Sequence, residues 1–337
     1  MAEQAPSPAD RPTGSTDEAS GAPAGGRTAA PAGHPHDNAS VANRLAALPQ
    51  TARAEVFTQS ANGLEFSGYR AEPAAPDPGL GVAVLVHGWP QYASCWEDVA
   101  GTLLAAGMPV LAYDQRGYSP GARPEAVEDY DVRHLVADLD ALTAALGIER
   151  FHLGGHDWGG VMGWAYAAAH PERLETFTSV SSAHTLAHGQ RMKEDEDQYA
   201  RMEYLRKIRH HPEEFSAAML RDGGARLASF YQDAIPAPVV ASYLERFAQP
   251  DVFDAVLKYY RALGSADPLP TTPITVPTLY VWGSEDIAFT RGAAELTGEF
   301  VEGPYRFAEL TGASHWLPEE RPDAVAEAVL AWVREHA

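Results

Sequence analysis

Short apolar strands alternate with helices along most of this 337-residue chain, and that order constrains the fold more than any other feature. Residues 81–87, GVAVLVH, contain an unbroken apolar run typical of a strand that is covered on both faces. Residues 129–146 carry apolar side chains at helical spacing. Further strands are predicted at 108–114, 151–155, 176–181, 278–282 and 305–311. The alternation predicts an α/β protein with a mostly parallel, doubly wound sheet.

Two intervals depart from this alternation. Residues 54–60 and 64–70 alternate in polarity around Asn62-Gly63, which predicts an antiparallel hairpin at the start of the sheet. Between Ala183 and Thr272 no clear buried strand occurs, and charged segments that favour helix take its place. The predicted domains are a core, 46–182 and 273–337, and an inserted helical cap, 183–272.

The beginning of the chain differs in composition from the rest. Residues 1–40 contain no Val, Ile, Leu, Phe, Tyr or Trp, and 25 of these 40 residues are Ala, Pro, Gly or Ser. Such a segment buries too little apolar surface to offset the entropy lost on ordering. Residues 1–45 are therefore predicted to be a disordered extension, with a short helical lead-in at 41–50. The segment has neither the pattern of a secretory signal nor a twin-arginine pair, so we expect a cytoplasmic protein.

The net charge excludes several classes of partner. The chain carries 46 acidic and 25 basic residues, a formal charge of −21, and such a surface repels nucleic acids and anionic membranes. No stretch of 18 or more apolar residues occurs, so no membrane span is predicted. The only cysteine, Cys95, has no partner for an internal disulfide, which suits a reducing compartment. Small molecules remain as partners, and the oligomeric state stays open.

Three chemically active positions follow predicted strands, where the active sites of open α/β sheets lie. Residues 155–159, GHDWG, have the spacing and the strand–turn–helix setting of a nucleophile elbow, with Asp157 in place of the usual Ser. Asp286 comes soon after the strand that ends at 282, and His315 comes after the strand that ends near 311. Each residue alone is more typical of a turn, a helix cap or a buried polar group. Together, in the order nucleophile, acid, histidine, they indicate catalysis.

These positions, together with His87-Gly-Trp-Pro90 and Gly155–Gly160, resemble the motifs of the epoxide hydrolases of the α/β-hydrolase fold. Haloalkane and fluoroacetate dehalogenases are related to that family. The resemblance extends over roughly residues 50–337 and is weakest in the cap. It implies the α/β-hydrolase fold, a covalent mechanism on Asp157 without a cofactor or metal, and a cis bond before Pro90.

The chemistry of an aspartate nucleophile agrees with this resemblance. A carboxylate with an ordinary pKa of about 3.9 is ionised at neutral pH and needs no base in order to attack. Attack on an ester would form an anhydride, whereas attack on a saturated electrophilic carbon forms an alkyl ester, so we expect an epoxide or an alkyl halide as substrate. His315, oriented by Asp286, would activate water against the ester on Asp157. The backbone N–H groups of Trp89 and Trp158 are the predicted oxyanion hole.

The leaving group distinguishes an epoxide from a halide. An opening epoxide leaves as an alkoxide and needs a proton donor, whereas a halide needs only weak N–H donors. In the family two cap tyrosines supply the proton, and the resemblance implies Tyr260, in the segment YYRA, and Tyr204, in RMEYL. Three other cap tyrosines compete with Tyr204 for this role: Tyr199, Tyr231 and Tyr243.

The sequence therefore predicts an enzyme that opens epoxides to vicinal diols. A hydrolytic dehalogenase is the alternative. Haloalkane dehalogenases, however, usually have Asn or an acid at the position of Trp89, and fluoroacetate dehalogenases typically have Arg at that of Trp158. A non-catalytic small-molecule receptor is the third hypothesis. The presence of all three residues, Asp157, Asp286 and His315, argues against it. His184 and His188 have the spacing for a metal but lack a third ligand, and no dinucleotide fingerprint occurs, so neither metal nor cofactor is expected.

Overall fold

The structure is a computed structural model that describes residues 37–264 and 270–336. The strands in these residues are β1 (Thr51–Ala61), β2 (Leu64–Pro73), β3 (Ala83–Val86), β4 (Val110–Tyr113), β5 (Phe151–His156), β6 (Leu174–Val180), β7 (Thr278–Gly283) and β8 (Tyr305–Leu310). They form one sheet in the order β1-β2-β4-β3-β5-β6-β7-β8. β1 and β2 form an antiparallel hairpin, β2 is antiparallel to β4, and the other neighbours are parallel. The predicted mostly parallel sheet with a hairpin at its start is confirmed.

Helices cover this sheet and fill the interval between two of its strands. They are α1 (Asn38–Ala46), α2 (Glu97–Ala105), α3 (Val132–Ala145), α4 (Trp158–Ala169), α5 (Thr185–Glu194), α6 (Glu196–Arg201), α7 (Glu203–His210), α8 (Pro212–Ala228), α9 (Ala237–Phe247), α10 (Val252–Ala262), α11 (Arg291–Leu296), α12 (Leu317–Glu320) and α13 (Pro322–His336). The helices α5 to α10 lie between β6 and β7, and the described part of that interval contains no strand. The predicted helical insertion is therefore present, and we refer to α5–α10 as the cap.

The two faces of the sheet bury separate apolar clusters. Val84 and Val86 of β3 belong to one cluster, and Ala83 and Leu85 belong to the other, because successive side chains of a strand point to opposite faces. Helices α3 and α4 and cap residues form the first cluster with the sheet, whereas α1, α2 and α13 form the second. Within 37–264 and 270–336, no helix is both long enough and apolar enough to cross a membrane.

The helix near the start of the described residues begins earlier than the sequence predicts. α1 begins at Asn38, and its apolar residues Val41 and Leu45 are buried against the core. The predicted disordered extension, 1–45, is therefore wrong for its last eight residues, 38–45, because their few apolar side chains share one helix face and find partners in the core. The predicted lead-in helix is present but shifted towards the start of the chain. Residues 1–36 lie outside the described residues.

Candidate active site

The turn between β5 and α4 holds Asp157 in a sharp bend. Its backbone has φ 49° and ψ −114°, a conformation that residues other than glycine rarely adopt. The neighbouring glycines permit the close packing of this turn: a Cβ on Gly155 would lie 2.3 Å from the carbonyl oxygen of Gly159, and a Cβ on Gly159 would lie 2.2 Å from that of Val86. The turn thus has the form of a nucleophile elbow and carries Asp157 at the carboxyl end of β5.

The loops after β7 and β8 bring Asp286 and His315 to Asp157. The Nδ1 atom of His315 lies 3.0 and 3.1 Å from the two carboxylate oxygens of Asp286, and its Nε2 atom lies 3.7 Å from Oδ2 of Asp157. The backbone N–H groups of Ala288 and Phe289 donate to Oδ1 of Asp286 at 2.7 and 3.0 Å. The imidazole therefore has one nitrogen on the acid and the other facing the nucleophile.

The charges around His315 stabilise its protonated form. Burial alone would lower the pKa of His315, but the carboxylates of Asp286 and Asp157 more than offset this effect and raise the pKa to about 10. While Asp157 is ionised, the imidazole is a cation at neutral pH. Because the Asp157 carboxylate, 3.7 Å from Nε2, contributes to this shift, neutralising that carboxylate lowers the pKa of His315.

His156 ties the elbow to the loop of the catalytic histidine, a role that the sequence did not predict. It is fully buried and donates from Nε2 to the backbone carbonyl of His315 at 2.9 Å. Burial lowers the pKa of His156 to about 3, so the ring is neutral, and a bond to a carbonyl places its single proton on Nε2. The only sequence signal for this contact was the position of His156 next to Asp157.

Two backbone N–H groups of the predicted oxyanion hole flank the nucleophile. The N–H of Trp89, in the loop after β3, donates to Oδ1 of Asp157 at 2.7 Å. The Trp89–Pro90 bond is cis, as the family resemblance implied. Trp158 is the first residue of α4, so its N–H has no carbonyl partner within that helix. The N–H of Trp89 therefore contacts Asp157 directly, and the N–H of Trp158 belongs to the residue that follows Asp157 in the chain.

The cap contributes two tyrosines that contact each other and the core tryptophans. The rings of Tyr204 on α7 and Tyr260 on α10 lie 5.7 Å apart. Trp89 stacks on Tyr204 at 6.0 Å and meets Tyr260 edge-on at 5.5 Å. Trp158 also meets Tyr260 edge-on, with the ring centroids 5.2 Å apart. Burial raises the pKa of both tyrosines, so both hydroxyls are protonated at neutral pH.

The competing cap tyrosines are engaged elsewhere or exposed. The hydroxyl of Tyr231 donates to the carbonyl of Pro90 at 2.6 Å, and that of Tyr243 donates to the carboxylate of Glu319 at 2.7 Å. Tyr199 is 51% exposed on the surface of the cap. The structure therefore brings Tyr204 and Tyr260 to the site and leaves the other three away from the nucleophile.

A cavity of about 320 Å³ lies between the core and the cap. Asp157, His315 and Tyr204 line it, whereas Tyr260 lies behind the lining, in contact with Tyr204 and Trp89. The remaining lining consists of the aromatic and aliphatic side chains of Trp89, Ala200, Phe230, Ile287, Ala288 and Trp316 and the charged side chains of Arg201, Glu203 and Lys207. The reacting groups thus share a mostly apolar chamber with a charged rim.

Of the two histidines considered for a metal site, His184 is hydrogen-bonded at both ring nitrogens, and His188 contacts the ring of Phe289 at 5.2 Å. His184 uses Nε2 on the carbonyl of Thr271 at 2.8 Å and accepts from the N–H of Leu186 at Nδ1, 3.2 Å away. Across the described residues, no group of three or more His, Cys, Asp or Glu side chains is arranged to hold a metal ion.

Comparison with known proteins places this geometry in a family. Residues 82–322 match the family of the alpha/beta hydrolase fold. Epoxide hydrolase A of Mycobacterium tuberculosis is 32% identical to this chain over 301 residues, which cover 77% of this chain and 92% of that protein. The chain belongs to the epoxide hydrolase family of the α/β-hydrolase fold. It is therefore an enzyme of the α/β-hydrolase type.

A further relative agrees with this assignment, and a solved structure has the same fold. Mouse Epoxide hydrolase 4 is 28% identical over 273 residues, 78% of this chain and 75% of that protein. In a solved structure of an epoxide hydrolase mutant from Bacillus megaterium with its diol product, the fold matches 82% of this chain and 100% of that chain with a TM-score of 0.72, at 21% identity. In this chain the residues predicted for the nucleophile and the base line one cavity, and the residue predicted for the acid contacts the base from behind.

Proposed function

We propose that the enzyme opens epoxides to vicinal diols through an alkyl ester on Asp157. One arrangement carries the proposal: the carboxylate of Asp157, the His315 imidazole 3.7 Å from it and the hydroxyl-bearing ring of Tyr204 share one cavity. Epoxide opening needs a nucleophile and a proton donor at the same time, because a carbon–oxygen bond forms while the leaving oxygen takes up a proton. Relatives named as epoxide hydrolases support the same activity.

In the first step Oδ2 of Asp157 attacks a ring carbon, since Oδ1 is held by the N–H of Trp89. The carbon–oxygen bond of the epoxide breaks, and Tyr204 donates its proton to the leaving oxygen. The neighbouring hydroxyl of Tyr260 partly offsets the effect of burial on the pKa of Tyr204 and so helps to stabilise the tyrosinate that forms. The products of this step are an ester on Asp157 and an alcohol.

Formation of the ester makes His315 a base. The carboxylate charge of Asp157 disappears, so the pKa of His315 falls and its proton returns to the tyrosinate. Neutral His315, oriented by Asp286, then takes a proton from a water molecule that attacks the ester carbon. The negative charge that develops on Oδ1 is stabilised by the N–H groups of Trp89 and Trp158.

Collapse of the tetrahedral intermediate completes the cycle. The second alcohol leaves and takes the proton from His315, which releases the vicinal diol. Asp157 remains as a carboxylic acid and transfers its proton to His315. This transfer restores the carboxylate and imidazolium with which the cycle began, and the net reaction is the addition of one water molecule to one epoxide.

The cavity favours an apolar epoxide of moderate size. Its volume of about 320 Å³ lies at the lower end of the range for small-molecule sites, and most of its lining is apolar. Lys207 and Glu203 form an ion pair of 3.2 Å at the charged rim. We propose that residues 183–272 act as the lid that separates this chamber from water.

A hydrolytic dehalogenase is the second candidate, and one observation favours it. The indole N–H of Trp89 is buried without a hydrogen-bond partner among the described residues, and such a weak donor suits a halide ion. Against this reading, a halide has no use for the paired hydroxyls of Tyr204 and Tyr260.

A product assay on paired substrates separates these functions. Terminal and aryl epoxides are scored for diol, and bromoalkanes and fluoroacetate are scored for halide release. We expect diol without halide. Halide release without diol formation would show that the enzyme is a dehalogenase. Ligand binding without either product would show that the protein is a receptor.

We also propose that the enzyme acts in the cytoplasm, where its single thiol, the buried Cys95, stays reduced. Fractionation of cells that express the full chain tests this location.

A further inference from the structure

The loop between β7 and α11 carries Asp286, and side chains of the cap determine its shape. Three backbone groups of this loop bond to cap side chains: the carbonyls of Asp286 and Ala288 and the N–H of Thr290. Ala288 also lines the cavity. The position of the catalytic acid therefore depends on a segment that belongs to the other half of the molecule.

That segment is α6, and its central contact is made by Gln198. The fully buried Gln198 donates from Nε2 to the carbonyl of Ala288 at 2.7 Å and accepts at Oε1 from the N–H of Thr290 at 2.9 Å. The hydroxyl of Thr290 lies 3.2 Å from the same oxygen. Arg201 donates to the carbonyl of Asp286. Because a carbonyl only accepts and a backbone N–H only donates, the orientation of the Gln198 amide is determined.

The same face of the cap also leads to the proton donor. Asp195, which caps α6, accepts from the hydroxyl of Thr290 at 3.1 Å. Gln198 follows three residues later, then Arg201, then Tyr204 at the start of α7. Gln198 and Arg201 are three residues apart in α6, so they lie on the same side of that helix. One short segment of the cap thus holds the acid loop and is continuous with the tyrosine that lines the cavity.

We propose that Gln198 is a positioning residue for ester hydrolysis: through Ala288 and Thr290 it keeps Asp286, and hence His315, in the geometry that activates water. The inference rests on the function proposed above. The side-chain hydrogen bonds of Gln198 go to the acid loop and not to Asp157. Its loss is therefore expected to slow the second chemical step and to leave the first nearly unchanged.

Hydrolysis should slow because Gln198 is the hydrogen-bond partner of two buried backbone groups in the acid loop, the carbonyl of Ala288 and the N–H of Thr290. An apolar side chain of similar length would leave the buried Ala288 carbonyl and Thr290 N–H unpaired, and the loop would shift to recover hydrogen bonds. A small misplacement of a catalytic group costs a factor of about 10 to 100 in rate. His315 is needed as a base only after the ester has formed, so this cost appears in hydrolysis.

The test compares Gln198→Met with the wild-type protein on an epoxide that the wild type hydrolyses. Rapid-quench mass spectrometry measures alkylation of Asp157 and hydrolysis of the ester separately. We expect hydrolysis to slow by about 10- to 100-fold, alkylation to stay within about threefold, and the ester to accumulate at steady state. Gln190→Met, on the exposed face of α5, is the matched control and is expected to match the wild type.

A second comparison removes the ambiguity of a general folding defect. In an Asp286→Ala background, Gln198→Met should slow hydrolysis no further, because its effect passes through Asp286. Gln198→Glu, which keeps the acceptor for Thr290 and removes the donor to Ala288, should show the same selective slowing if the methionine variant does not fold.

Each other result overturns the inference. Equal slowing of both steps in a folded variant, wild-type rates in the variant, or additive losses with Asp286→Ala would each show that Gln198 does not act through the acid. If the wild-type enzyme itself forms no ester on Asp157, the proposed function fails instead, and that failure is visible before any variant of Gln198 is measured.

Discussion

The core half and the cap half of the active site are held in place by different kinds of contact. In the core, hydrogen bonds that involve the backbone hold the catalytic residues. The N–H of Trp89 donates to Asp157, and the ring of His156 donates to the backbone carbonyl of His315. In the cap, ring contacts with tryptophans locate Tyr204 and Tyr260.

This difference has a consequence for both prediction and mutation. The positions of Asp157, Asp286 and His315 after strands follow from local sequence and sheet topology, although the hydrogen bonds that hold the core half join distant parts of the chain. Ring packing depends on which surfaces meet when the cap closes on the core. Changes in the core should therefore stop one defined chemical step, whereas changes in the cap should reduce rates by degrees.

The largest effect is expected from Asp157→Ala. Without the carboxylate no ester can form, so diol formation should fall by at least about 10⁴-fold to the background rate. The cavity is otherwise preserved, and substrate binding should persist. Diol production and a thermal melt on the same preparation check this. Substantial residual turnover in a folded variant would mean that another group is the nucleophile.

His315→Gln, a change in the core half, is expected to separate the two chemical steps, alkylation of Asp157 and hydrolysis of the ester. Alkylation needs only the ionised Asp157 and a proton donor, but hydrolysis needs the imidazole, so the ester should persist and turnover should fall by about 10³-fold or more. Intact-protein mass spectrometry after one turnover measures the adduct, and peptide mapping locates it. His210→Gln, exposed on α7, is the control. An adduct on any residue other than Asp157 contradicts the assignment.

The contrast between the two halves also explains what could be predicted from the sequence. Asp157, Asp286 and His315 each follow a strand, so elbow spacing and strand order located them and their relative order. His156 was missed because its partner, the carbonyl of His315, is 159 residues away in the chain.

The cap half and the start of the chain depended on packing that no local pattern shows. Tyr204 could not be separated from Tyr199, Tyr231 and Tyr243 until the hydroxyl partners and the exposure of those three were known. Gln198 gave no signal, since it acts on backbone groups about 90 residues further along the chain. α1 was placed too late because the sequence did not show which surface would bury its apolar face.

Tyr204→Phe and Tyr260→Phe test the cap half directly. The two hydroxyls share the stabilisation of the leaving oxygen, so each change should slow alkylation of Asp157 by about 10- to 100-fold, with the larger loss at Tyr204 because it lines the cavity. Hydrolysis of a preformed ester should change little. Tyr199→Phe is the exposed control. Unchanged epoxide opening in the double variant would remove the tyrosines from the mechanism.

The pKa of His315 predicts how stability depends on pH. The folded state holds the His315 proton up to about pH 10, whereas an unfolded histidine releases it near its ordinary pKa of about 6.5. The unfolded state therefore binds fewer protons between these values, and the free energy of unfolding should fall, on the order of a few kcal/mol, as pH rises through this window.

Comparison with His315→Gln isolates this contribution. Glu319, whose pKa is raised to about 8 by burial, titrates in both proteins, so its effect cancels in the difference between their denaturation curves. The difference in free energy of unfolding should be largest below about pH 6.5 and should shrink as pH rises towards 10. A difference that is independent of pH would show that the carboxylates do not hold His315 as a cation.

Asn38→Ala should give the smallest effect and extends the comparison to the start of the chain. Asn38 donates to Oδ2 of the buried Asp114 at 3.0 Å, and Asp114 also accepts from the N–H of Ala93 and from Arg246 on the cap helix α9. Because those two partners remain, the loss should be only about 1–2 kcal/mol in the free energy of unfolding. Asn43→Ala, exposed on the same helix, should cost almost nothing. Asn38→Ala should leave the alkylation rate of Asp157 unchanged. A change in that rate would show that the contact of Asp114 with Asn38 affects its contact with Arg246 on the cap, and that the core half and the cap half of the site are not independent.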